Sequence, residues 1–247
     1  MVTGKKHMLE LSTAPELSIK AVYADDITKA ENTKMFGLKY HINNMDHNEQ
    51  TNLRTRLYGK VLRLNAPEQL AVMDPALRLR LESSFEAELF SGQMRGESVV
   101  ALAPMIRKVT SGLMALLFFG EQLSSEPEFA SALLDHSHDI VTSLKMNRLM
   151  PAFLHKTLTA IATRNGHAMR ILTQRLRPIV GHAGGLYDEP EPVKSHTLLQ
   201  TVLEETNGKE GDYWTPEILL EMVMGMFFAA SHQPWSVSIQ ILRARLS

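Results

Sequence analysis

The chain has 247 residues, 44% of them hydrophobic, with 26 Lys and Arg against 27 Asp and Glu and no Cys. That length allows one large domain or two small ones, and the apolar fraction suffices for a sizeable core. A net charge of −1 lacks the clustered excess of Lys and Arg that tracking a nucleic-acid backbone requires. The missing cysteines exclude disulfides, thiol nucleophiles, zinc–thiolate sites and thiolate-ligated iron within these residues.

No apolar stretch follows Met1-Val-Thr-Gly-Lys-Lys-His, so a signal peptide is not expected. A first helix is expected near Lys5–Leu11, with Lys20 to Tyr40 mainly loop. Asn65-Ala-Pro-Glu68 and Asp74-Pro75 both read as helix starts, each a capping side chain followed by Pro in the first turn. Leu77, Leu81, Phe85 and Leu89 recur every four residues and predict an amphipathic surface helix, with Arg78 and Glu82 on a wettable line.

Ser98 to Phe119 reads as a nearly buried helix closed by Gly120. Glu126-Pro127-Glu128 opens another that continues to Leu149. A basic helix is expected from Pro151 to about Val180, and a flexible loop over about 186–195, around Asp188-Glu-Pro-Glu-Pro. Ser195 should cap a short helix to about Glu205, followed by a turn at Asn207–Gly211. Thr215-Pro216-Glu217 starts the last helix. Met222 to Leu242 carries no Asp, Glu, Lys or Arg, but its Ser, His, Gln and Pro residues favour a core helix over a membrane span. The sum is an all-α chain of roughly eight helices, unequal in length.

Three places could carry chemistry. In Asp135-His-Ser-His-Asp139 a helix would spread the candidate ligands over more than one face, which favours a solvated face over a metal site. Arg54 and Arg56 sit two apart, so one could face inward and bind a carboxylate by paired hydrogen bonds. Ser231, His232 and Gln233 interrupt the apolar last helix just before Pro234. Proline leaves the Ala230 carbonyl unserved, so the helix is expected either to kink or to widen around a ligand there.

An ordered series of segments resembles a fungal cytochrome P-450 of the kind that tailors terpenoids and other secondary metabolites. Glu10-Leu-Ser-Thr-Ala-Pro15 is similar to the family's B-helix entry, and Leu53-Arg54-Thr-Arg56-Leu57 to helix C. Leu117-Phe-Phe-Gly-Glu121 with Pro127-Glu-Phe129 resembles the end of helix E and the start of F. Leu149-Met-Pro151 and Leu176-Arg-Pro178 fit the F–G and post-G positions. Trp214-Thr-Pro-Glu217 and Phe228-Ala-Ala-Ser-His232 are similar to the start and middle of helix I.

The resemblance implies the N-terminal and central helical part of that fold, helices B to I, as one partial domain over residues 1–247. The family's membrane anchor, Glu-x-x-Arg helix and Cys loop are not in this sequence. A truncated protein that binds no haem of its own and is inactive as a monooxygenase is therefore expected. By the same resemblance Arg54 takes the place of the helix-C residue that holds a haem propionate. Ala229-Ala230-Ser231-His232-Gln233 occupies the oxygen-pocket motif, with His232 for its acid and Gln233 for its threonine.

Without a C-terminal half, Met224, Phe227, Phe228, Trp235, Ile239 and Leu242 should form an exposed apolar face, open to association with a partner. Two other functions fit the residues. One is a haem-free enzyme that cyclises or isomerises a hydrophobic small molecule with Arg54, His232 and Gln233 in its pocket. The other is a helical interaction module. A cytoplasmic location, or a peripheral one at the endoplasmic reticulum, with no transmembrane anchor in the chain, accompanies these expectations.

Overall fold

A computed structural model describes residues 53, 56–61, 67–94, 101–181, 197–206 and 213–246. The expected helix at Lys5–Leu11, the loops at 20–40 and 186–195, the turn at 207–211 and residue Arg54 lie outside the described residues. Among those described, every regular element is a helix, as the sequence predicts.

Helix α1, Pro67–Met94, starts at the first proline but passes straight through the second, Pro75. Pro75 and Ala71, whose carbonyl it cannot serve, are both exposed, so water replaces the missing bond and no new start is needed. Asp74 instead accepts a 2.7 Å hydrogen bond from Arg78 Nε one turn later. The four-residue stripe is only half-covered: Leu77 and Phe85 are half-buried, while Leu81 and Leu89 are exposed.

Helix α2, Leu102–Ser124, is the hub, packing on α1, on α3 (Pro127–Leu149), on α6 (Leu198–Thr206) and on α7 (Pro216–Leu246). It is the one described helix long and apolar enough to cross a membrane by length and composition. Its Met105, Val109, Leu116, Phe118 and Phe119 are buried in the protein core. The expected stop at Gly120 is a sharp break, φ 80° and ψ 177°, after which one more helical turn follows. The T-shaped pairs Phe118–Phe227 and Phe119–Phe129, with centroids 5.5 and 5.2 Å apart, join α2 to α7 and α3. Such ring pairs add about 0.5–1.5 kcal/mol each beyond area burial.

The single basic helix expected from Pro151 to Val180 is in fact two, α4 (Ala152–Ala162) and α5 (His167–Gly181). Between them Arg164, Asn165 and Gly166 have φ of 49°, 57° and 69°. Three consecutive left-handed residues cannot continue a right-handed helix. Helix α6 is capped by Thr197, two residues after the expected Ser195. The Gln200 amide donates to Thr197 Oγ1 at 3.2 Å and the Thr197 amide to Gln200 Oε1 at 2.9 Å, a reciprocal capping box. Helix α7 begins as expected, with the Ile218 amide bonded to Thr215 Oγ1 at 3.3 Å.

The face of α7 expected to lie bare is largely covered. Met224 and Phe227 are 0% exposed and Ile239 is 9%, and α7 packs along α2 and α5. Phe228 and Trp235 are half-buried. Among the described residues of α7 the exposed large apolar side chains are Val237 and Ile241 instead, and the Leu242 side chain lies outside the description.

Candidate functional site at the junction of α2, α3 and α7

Arg107 stands alone with Lys108 in the apolar run of α2, and it is half-buried. Its Nη2 donates to the Leu134 carbonyl at 2.8 Å, and its Nη1 lies 3.3 Å from His138 Nδ1. An arginine has only donors, so that contact is a hydrogen bond when Nδ1 carries the imidazole lone pair. Burial lowers the Arg107 pKa, against the opposing charges of Asp135 and Asp139. The guanidinium is thereby the centre of a cluster from which sequence reasoning had omitted it. The pair Arg107-Lys108 interrupts an apolar helical run, but nothing in the sequence says which of the two turns inward.

The Asp135–Asp139 stretch is solvated only in part, with His138 exposed and Asp135 half-buried. His136 is 0% exposed and Asp139 8%. His136 continues the buried stripe Phe129, Leu133, His136, Ile140, whose spacing of four, three and four is that of one helix face. Neither His136 nitrogen has a hydrogen-bond partner among the described residues, and burial pushes its pKa down to about 4. Burial, assisted by Asp135, pushes Asp139 up to about 6, against the pull of Arg164 and Arg107. His138 is lowered by burial and then by the Arg107 charge. Among the described residues no group of three or more His, Asp or Glu is placed to hold a metal ion.

The polar triplet of α7 does not converge. Successive helical residues point about 100° apart, and each member meets a different environment. Ser231 is buried, its Oγ 3.4 Å from Ser137 Oγ on α3 and 3.4 Å from its own helix's Phe228 carbonyl. His232 is half-buried, stacked on Phe228 with centroids 5.2 Å apart and edge-on to Trp235 at 5.1 Å. Gln233 is exposed. The backbone stays helical through Pro234 without the widening that was one of the two expectations, although Pro234 leaves the carbonyl of half-buried Ala230 without its helical partner. Burial lowers the His232 pKa, and the charges of Arg107 and Lys145 lower it further.

His232 thus sits between Phe228 and Trp235 within the field of Arg107, and Ser231 lies at the α3–α7 seam. No protein-family model, curated protein or solved structure matches the chain. Chemically, His138 and His232 are both held towards the neutral imidazole by burial and the nearby Arg107 charge, the form that can accept a proton.

Proposed function

We propose that the chain is the N-terminal and central helical part of a cytochrome P-450-type protein and that it performs no haem-thiolate monooxygenation with its own residues. The observation that carries this reading is α7, a 31-residue helix packed through the core with Ala229-Ala230-Ser231-His232-Gln233 at its middle. The ordered motif series before it supports the same assignment.

The family's haem does not fit the donor set of these residues. No Cys occurs among the 247, so no thiolate is on hand to ligate iron. Arg54 would meet a haem propionate only in company with a segment that supplies the thiolate. Adding hemin to the purified chain and reducing it under CO should give no stoichiometric band at the family's signature Soret position. Such a band would overturn the reading. The fold assignment is tested by co-expression with the Cys-loop half of a fungal family member. Co-purification with a thiolate-type Soret band supports it, and independent behaviour of the two pieces counts against it.

A second reading is favoured by the setting of His232 between Phe228 and Trp235, within the field of Arg107. There a neutral imidazole could take a proton from a hydrophobic substrate, as a haem-free isomerase or cyclase requires. Turnover of a terpenoid-like intermediate that His232→Ala abolishes, with the helical circular dichroism unchanged, would establish it. Turnover unaffected by that change would remove it.

A further inference from the structure

Away from that junction, a groove of about 910 Å³ runs along α5 to the start of α7. Its apolar lining includes Met169, Pro178 and Pro216, and its polar lining is Asn165, Arg170, Thr173, Gln174 and Arg177, with no acid among the lining residues. Arg170 and Arg177 are seven residues apart on one helix. They therefore stand about 10 Å apart along its axis and only about 20° apart around it.

Arg170 uses Nη1 to hold the Asn165 carbonyl at 2.8 Å and meets no carboxylate among the described residues. Arg177 donates from Nη2 to Glu217 Oε1 at 3.0 Å, a pair exposed on both sides. Exposed pairs of this kind are weak and readily exchanged. By contrast Arg175 is turned away, towards Glu126 and Glu128.

We propose that this groove binds an acidic peptide in the polyproline II form, with carboxylates three residues apart. In that form residues i and i+3 lie on one side, about 9 Å apart, which matches the spacing of the two arginines along α5. Apolar residues between the acids lie on Met169, Pro178 and Pro216, and Thr173 and Gln174 serve the peptide backbone. Each guanidinium can take a carboxylate by charge-assisted hydrogen bonds. One of the two incoming carboxylates displaces Glu217. A nucleic-acid ligand is disfavoured because the chain carries a net charge of −1. This inference does not depend on the cytochrome P-450 reading.

The test is fluorescence anisotropy at low salt with the full chain and labelled peptides containing Glu-Pro-Pro-Glu, Lys-Pro-Pro-Lys or adjacent Glu-Glu, alongside an oligothymidylate. The Glu-Pro-Pro-Glu peptide should bind best, and Arg170→Ala or Arg177→Ala should weaken it about tenfold. Glu217→Gln should tighten binding several-fold, a gain that misfolding cannot produce. Gly181 has no positive φ, and a Cβ there meets nothing nearer than Pro216 Cγ at 4.0 Å. Gly181→Leu should therefore block the groove's end and weaken binding without disturbing the core. No saturable binding, a preference for the basic peptide or the oligothymidylate, or unchanged affinity in Glu217→Gln would each overturn the proposal.

Discussion

The Ser231 hydroxyl meets the Ser137 hydroxyl at 3.4 Å, a buried contact that ties the middle of α7 to the middle of α3. Each oxygen also has a carbonyl of its own helix within reach, Phe228 for Ser231 and Leu133 for Ser137. Removing either hydroxyl therefore leaves the other with a partner. Ser231→Ala should cost only about 0.5–1 kcal/mol in urea unfolding, the low end for a lost hydrogen bond. The double variant with Ser137→Ala should be nearly additive. A coupling above about 1.5 kcal/mol would show that the seam carries more than these two bonds.

His136 gives a larger effect of opposite sign. Its buried ring has two nitrogens without a partner among the described residues, so His136→Leu should stabilise the protein by about 1–3 kcal/mol at neutral pH. The wild-type ring titrates near 4 when folded against 6.5 when exposed. Between those values the unfolded chain holds more protons, and stability falls as pH falls. Stability measured by chemical denaturation at pH 7 and pH 4.5 should drop less in the variant, by on the order of 2–3 kcal/mol.

Asp139 works in the other direction over an overlapping window. Its folded pKa of about 6 exceeds the ordinary 3.8, so its contribution is present at low pH and is lost as pH rises through 6. Asp139→Asn should therefore gain stability relative to wild type between pH 4 and pH 8, by about 1–2 kcal/mol. Equal stability differences at both pH values would mean that folding does not shift the carboxyl's pKa.

Gly120 holds φ at 80° with ψ at 177°, a region that side chains enter only with strain. Gly120→Ala should cost about 1–3 kcal/mol and lower the melting temperature. An unchanged melting temperature would mean that α2 can end in another way.

Much of this architecture was legible in the sequence, and the reasons differ from element to element. Pro127 and Pro216 announce α3 and α7 because proline suits a first helical turn, and Gly120 announces a stop because it alone tolerates that backbone. Pro75 misleads because the same residue is tolerated inside a helix wherever water reaches the orphaned carbonyl. The break between α4 and α5 was written in Asn165-Gly166, a turn dipeptide that prevails over the helical propensity around it. Of the candidate site, His232 was visible as a polar interruption. Arg107 was not, because which charge faces inward depends on α3 packing across α2. The covering of Met224 and Phe227 was hidden for the same reason, since it depends on partners distant in the chain.

The corner at Arg164, Asn165 and Gly166 has a further consequence. Its length is fixed by the Asn165 amide reaching back to the Ala160 carbonyl and by the Gly166 amide reaching Thr163. The corner therefore sets the rotational phase of α5. One added residue there would turn that helix by about 100°, lifting Leu172 and Leu176, which are 0% and 1% exposed, off the core. Natural variation in length at this corner should therefore be far rarer than variation in residue type.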